Sequence, residues 1–186
     1  MILLAPSPAG LRLIPDFVSV AVERELLARL AGLEFRRVEM HGQVALRTTL
    51  HYGWSYGYDG WELTPAEPPP EFLLPLRSRV AALIDVTPAA LEEILVTRYP
   101  PGAGIGWHRD APMFGPDVVG VSLGSDAILR FRRRGETRTS YRLPLPPRSA
   151  YVLGGEARTR WQHTLSPLKA ERVSITFRTL MAHVRP

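Results

Sequence analysis

The chain contains no cysteine, so neither a disulfide framework nor a thiolate metal site is open to it. Any metal it holds must rest on histidine and carboxylate. No apolar run approaches the ~20 residues that would span a bilayer. The start, Met1-Ile2-Leu3-Leu4-Ala5-Pro6, is too short and too uncharged for a signal peptide. The expectation is a cytoplasmic protein with no membrane partner. Internal repeats and low-complexity tails are also missing, which argues against solenoids and disordered arms. What remains is 186 residues with 45% hydrophobic content, enough for one core, and a single monomeric domain is expected. The net charge of +5 is compatible with a polyanionic partner but does not demand one.

The densest chemistry lies in Gly106-Trp107-His108-Arg109-Asp110, followed far downstream by His163, Arg172 and Arg178. In an extended strand His108 and Asp110 share a face, because side chains alternate with period 2. A histidine returning from a later strand completes a 2-His-1-carboxylate facial triad, which leaves coordination positions for co-substrate and dioxygen. His-x-Asp alone is a common pattern. Its weight comes from context: the flanking segments read as strands, and Arg172 stands where a co-substrate carboxylate would need a bidentate clamp. An iron(II) oxygenase that uses a dicarboxylate is the expectation.

These residues carry a family resemblance. The stretch from Thr97 through Tyr99, Gly102, Ile105, His108 and Asp110 resembles the Tyr-x-x-Gly-x-x-Ile-x-x-His-x-Asp segment of the AlkB family of iron(II)/2-oxoglutarate dioxygenases, and Arg172 to Arg178 resembles its Arg-x5-Arg signature. Val121–Ser125 and Gly154–Arg158 are similar to family segments on the intervening strands. The resemblance runs from about Glu92 to Arg178. It implies iron(II) on His108, Asp110 and His163, with 2-oxoglutarate and dioxygen as co-substrates. It also implies Arg172 on the remote carboxylate, helped by the Tyr99 hydroxyl, and Arg178 toward the metal side of the co-substrate, with Thr97 and Ser174 nearby. The implied reaction is hydroxylation, which on an N-methyl group releases formaldehyde.

The implied fold is mainly β with flanking helices, a double-stranded β-helix of the jelly-roll, cupin-like kind. Residues 1–91 would form an N-terminal extension of helices and a substrate lid, and 92–180 the catalytic barrel. From pattern alone, residues 1–15 offer no clear periodicity. A helix is expected from about Ser19, as N-cap, to Leu33, with Val22, Leu26, Leu27 and Leu30 on its buried face. Strand-like aromatic sequence follows from Phe35 to Tyr58. Thr64 to Pro70, with its prolines, reads as a loop, and Glu71 to Asp85 as a second helix. Short strands are expected at Ile94–Tyr99, Val118–Leu123, Ala127–Arg132, Thr139–Leu143, Ala150–Leu153 and Val173–Thr179.

Substrate class is the open matter. Thr97 replaces the Asn of nucleic-acid-repair members, Ser174 replaces another Asn, and Pro112 stands where those enzymes carry an acidic residue that reads a methylated base. Gly154–Arg158 with Trp161, and His51-Tyr52-Gly53, look more like relatives acting on tRNA or protein. A nucleic-acid partner, single-stranded or with a flipped base, is favoured. Tyr52, Trp54, Tyr56, Tyr58 and Trp61 could form a stacking lid, with Trp54 and Tyr56 as the contact candidates, or they form an aromatic minicore. His51 could line the site; His41 and His183 are expected to be structural or exposed. Arg158 is a further candidate contact, and Arg109 should face away from the metal. Arg133 and Arg134 belong to a hairpin, Arg130–Arg138, that grips phosphates or is a solvated edge kept unpaired by charge. A tRNA-modifying hydroxylase, a protein hydroxylase or demethylase, and a non-catalytic binding module remain alternatives.

Overall fold

A computed structural model describes residues 6–40, 43–57 and 62–184. Thirteen strands run in chain order as β1 (Leu11–Ile14), β2 (Arg36–Met40), β3 (Gln43–Tyr52), β4 (Trp54–Tyr56), β5 (Leu63–Pro65), β6 (Glu93–Tyr99), β7 (Ile105–His108), β8 (Phe114–Leu123), β9 (Ala127–Arg133), β10 (Tyr141–Leu145), β11 (Ala150–Leu153), β12 (Trp161–Leu165) and β13 (Arg172–Leu180). Three α-helices are interspersed: α1 (Val20–Ala31), α2 (Leu74–Leu83) and α3 (Gly155–Thr159). A seven-stranded sheet has the order β1-β11-β8-β13-β6-β3-β2 and a four-stranded sheet the order β10-β9-β12-β7, with β4 and β5 as a separate pair. All pairings are antiparallel. The architecture is a double-stranded β-helix.

Strand alternation decides which side chains become core and which become site. Val119, Val121, Ile175, Phe177, Ile94 and Val96 point to one face of the large sheet, where they bury Leu26 and Leu30 of α1 and Leu76 and Val80 of α2. The opposite face looks across to the small sheet, and there Val118, Tyr151 and Leu153 meet Leu129, Phe131 and Leu165. Ser19 caps α1 by accepting from the Val22 amide, as expected. Val22 itself is 36% exposed and does not belong to the buried face, because the helix meets the sheet on a narrower stripe.

The remaining differences from the sequence expectations have local causes. Leu11–Ile14 is an edge strand supported by pairing to Ala150–Leu153 rather than by its own pattern. Thr64 and Pro65 are strand, not loop, since an edge position lets proline join a pair. Gly154–Arg158 is not strand: it turns into α3, starting at Gly155 with φ of 49°. The division at residue 91 is not architectural, because β1, β2 and β3 complete the same sheet that carries β6, β8 and β13. No helix among the described residues is long and apolar enough to cross a membrane. His41, Tyr58 and Trp61 lie outside the described residues.

Candidate active site

Two neighbouring strands of the large sheet build the floor of the site. β13 and β6 are paired with Arg172 opposite Tyr99, Ser174 opposite Thr97, Thr176 opposite Leu95 and Arg178 opposite Glu93. Since Val173, Ile175 and Phe177 are committed to the helical core, Arg172, Ser174, Thr176 and Arg178 must face inward, and all four are polar. They line a cavity of about 370 Å³ between the sheets. Within the small sheet β12 lies beside β7 with His163 directly opposite His108, and Asp110 follows just beyond the end of β7. The cavity therefore has imidazoles on one wall and guanidiniums on the other.

The His108 and His163 ring centroids are 4.3 Å apart. His108 Nδ1 lies 2.8 Å from the Gly106 carbonyl, so Nδ1 donates there and Nε2 is left as the unprotonated nitrogen. Asp110 accepts from Arg178 through Oδ1 at 2.6 Å, while its Oδ2 faces His163 Nε2 at 3.7 Å. Among the described residues no three such side chains form a ready-made metal cage. The donors nevertheless fit one ion: with metal–nitrogen bonds of about 2.1 Å, two imidazoles bound at a right angle would have centroids roughly 4.5 Å apart. One free oxygen and two free nitrogens converge, and the other oxygen and nitrogen of two of these groups are already held by partners.

Protonation favours the same use. Burial lowers the pKa of His163 to about 3, assisted by His108, so it stays neutral and able to donate its lone pair. Burial likewise lowers His108. For Asp110, burial pushes upward but Arg178, His163 and His108 outweigh it, and the carboxyl is held well below its usual range. Arg178 is raised despite burial because Glu93 and Asp110 both face it.

Arg172 has a different environment. It is only 3% exposed. Its Nε donates to Ser122 Oγ at 2.9 Å, one terminal nitrogen reaches Ser174 Oγ at 3.4 Å, and its guanidinium lies 5.5 Å from the Tyr99 ring centre. Among the described residues no carboxylate pairs with it. A buried guanidinium held by neutral hydroxyls in a cavity wall suits an incoming carboxylate. Thr97, buried at the next position of the ladder, lines the same cavity.

Other expected contacts fall elsewhere. Arg158 is buried and donates to the carbonyls of Asp110, Ala111 and Phe114, so it braces the turn after β7 and is not among the residues that line the cavity. His51 does have a carboxylate partner, Glu93 Oε1 at 3.5 Å. It stacks edge-on against Tyr56 at 5.6 Å rather than lining the cavity. Tyr56 lines it, whereas Trp54 packs with Tyr56, Met113 and Phe114 in an aromatic minicore. Arg109, expected to face away, is among the residues that line the cavity, and it donates to the Thr159 carbonyl at 2.8 Å. Arg133 is engaged with Glu156 at 3.8 Å and lies over Trp161 at 4.9 Å, while Arg134 is exposed at the hairpin tip. Sequence reasoning missed Glu93, Ser122 and Arg47. A glutamate inside the apolar strand Glu93-Ile94-Leu95-Val96 was the available signal, since such a residue is rarely buried without a partner.

A double-stranded β-helix with two histidines, a carboxylate and a buried guanidinium in its mouth defines an iron-dependent oxygenase that binds a dicarboxylate. The chain belongs to the 2OG-Fe(II) oxygenase superfamily, whose family model matches residues 10–178, and within it to the AlkB-like members. It is 30% identical over 193 residues to the alkylated DNA repair protein ALKBH8 homolog of Arabidopsis thaliana, covering 88% of this chain and 53% of that protein. The chain thus spans about half the length of that relative. To the alpha-ketoglutarate-dependent dioxygenase AlkB of Escherichia coli it is 28% identical, covering 93% and 91% of the two chains. The solved structure of OsALKBH1 shares the fold, with a TM-score of 0.75 at 15% identity over 94% of this chain and 98% of that one. Membership implies iron(II), 2-oxoglutarate and dioxygen.

Proposed function

We propose that this chain is an iron(II)- and 2-oxoglutarate-dependent dioxygenase that hydroxylates or oxidatively demethylates a base of DNA or RNA. The observation that carries the reading is the cavity wall on which Arg172, buried and paired with no carboxylate among the described residues, lies in line with Arg178, which reaches across the cavity to Asp110. His108, Asp110 and His163 would hold the iron, leaving positions for 2-oxoglutarate and dioxygen. Iron held there would activate dioxygen, the oxidant, one of whose oxygen atoms would go to the succinate formed as the co-substrate loses carbon dioxide and the other to the hydroxylated C–H bond. Arg172 forks onto the remote carboxylate, with Ser122 and Ser174 fixing its plane and the Tyr99 ring at its face. Leu95, Val118, Leu129 and Leu165 exclude water around these polar groups. Arg178 holds Asp110 in place.

The nucleic-acid reading is supported by the named repair activity of the plant relative and by the outer face of the small sheet. Leu129, Phe131 and Leu143 point inward, so Arg130, Arg132 and Arg142 project outward. Arg130 and Arg142 are cross-strand neighbours. Arg132 lies 4.3 Å and Arg130 5.8 Å from the Trp107 ring centre, beside the cavity mouth. This face, not the Arg133–Arg134 tip, is the better phosphate surface. The test is succinate and formaldehyde release with iron(II), offered methylated single-stranded DNA, tRNA and bulk protein in parallel. Substrate-dependent turnover on nucleic acid is expected. Turnover stimulated by protein alone would overturn the substrate assignment.

A further inference from the structure

The arrangement of Asp110 poses an electrostatic difficulty. A carboxylate that donates charge to a divalent cation is here hydrogen-bonded at 2.6 Å to Arg178, and the Asp110–Arg178 pair is together neutral. Arg158, bound to the Asp110 backbone carbonyl, adds a further positive charge. Two neutral imidazoles beside a neutralised carboxylate would make a poor site for an ion of charge +2. Something must offset Arg178.

Glu93 occupies the position that does so. It is fully buried at 0% exposure and sits directly opposite Arg178 in the β6–β13 ladder. Its Oε2 accepts from Arg178 Nη1 at 3.1 Å, so one guanidinium bridges two carboxylates. Its Oε1 makes no hydrogen bond and faces His51 Nδ1 at 3.5 Å, which leaves the glutamate free to concentrate its charge on Arg178. We propose that Glu93 is a positioning residue for the metal site: by neutralising Arg178 it leaves Asp110 with its negative charge for a divalent cation, while Arg178 still fixes the orientation of that ligand. The chain His51, Glu93, Arg178, Asp110 is thus an outer shell of the metal centre built from strands β3, β6 and β13. This inference rests on Asp110 being a metal ligand.

Manganese(II) titration of the metal-free protein without co-substrate tests it, read by electron paramagnetic resonance of the free ion. Glu93→Gln keeps the shape and an acceptor oxygen but loses the charge, and should weaken binding about 10- to 100-fold, the range for removal of outer-shell partners. Glu93→Asp keeps the charge in a shorter side chain and should stay well within that loss, binding more tightly than Glu93→Gln. A purely structural role gives the reverse order, since glutamine is the closer fit in size, and that order overturns the proposal. So does a folded Glu93→Gln variant with parental affinity. If Glu93→Gln fails to fold, the double variant Glu93→Gln/Arg178→Met is compared with Arg178→Met alone: because Glu93 acts through Arg178, affinities within about threefold of each other support the proposal, and a further loss of tenfold or more in the double variant overturns it. A parent protein that binds no manganese(II) would instead refute the assignment of the metal site itself.

Discussion

Replacing Arg172 by methionine should have opposite effects on the ligand-free and ligand-bound protein. The guanidinium is 3% exposed, is held by two serine hydroxyls and an aromatic face, and meets no carboxylate among the described residues. Neutral partners recover only part of the several kcal/mol that burying a charge costs. Methionine fills similar length without a charge, so the ligand-free variant should be as stable as the parent or more stable, by about 1–2 kcal/mol. With 2-oxoglutarate the balance reverses. Truncating one member of a buried, hydrogen-bonded charge pair costs about 2–5 kcal/mol, which raises the dissociation constant at least 30-fold. At a co-substrate concentration 100 times the parental dissociation constant, the parent gains about 2.7 kcal/mol. The variant gains about 0.9 kcal/mol or less by the same relation. For a chain of this size each kcal/mol moves Tm by roughly 2–4 °C, so the parental shift is about 5–11 °C and the variant's no more than about 4 °C. Thermal denaturation of the manganese-loaded protein, with and without 2-oxoglutarate, reads both numbers. A variant whose co-substrate shift equals the parent's would refute the reasoning, because the remote carboxylate would then be held elsewhere.

Arg130→Gln and Arg132→Gln together should weaken binding to any single-stranded nucleic acid and lower the salt slope by about 2, near one for each phosphate that is no longer neutralised; an unchanged slope would make this face a solvated edge. The Arg133→Gln/Arg134→Gln pair should do less, since Arg133 is already engaged with Glu156. Arg158→Met removes donors to the carbonyls of Asp110, Ala111 and Phe114 and should cost about 2–4 kcal/mol of stability, measured by urea denaturation; parental stability would show that these bonds are replaced by water.

The site was legible wherever chemistry requires a particular residue at a particular spacing. His108, Asp110, His163 and Arg172 stood out as candidates because a metal triad and a carboxylate clamp restrict both residue type and order, and Arg178 because of the family resemblance; the fold brings all five to one cavity. Strands such as Glu93–Tyr99 and Ala150–Leu153 were visible through apolar composition bounded by turn residues. Leu11–Ile14 was not, because what makes it a strand is its partner Ala150–Leu153, distant in sequence. The partners of Arg158 were not legible for a related reason: only the fold shows three carbonyls converging on it. Glu93 stood out only as a glutamate in an apolar strand, and its role was not legible because its meaning is relational. It matters only once β13 places Arg178 across from it, and the register of two strands so far apart in sequence is set by tertiary packing.

In the proposed site His108, Asp110 and His163 hold one iron whose neighbour is 2-oxoglutarate on Arg172. Succinate formation from 2-oxoglutarate, measured with iron(II) and dioxygen for the parent chain and for Asp110→Ala, tests it most directly. Iron-dependent succinate is expected from the parent and none above background from the folded variant, because one of only three protein ligands is gone. Equal succinate formation by the two would contradict it.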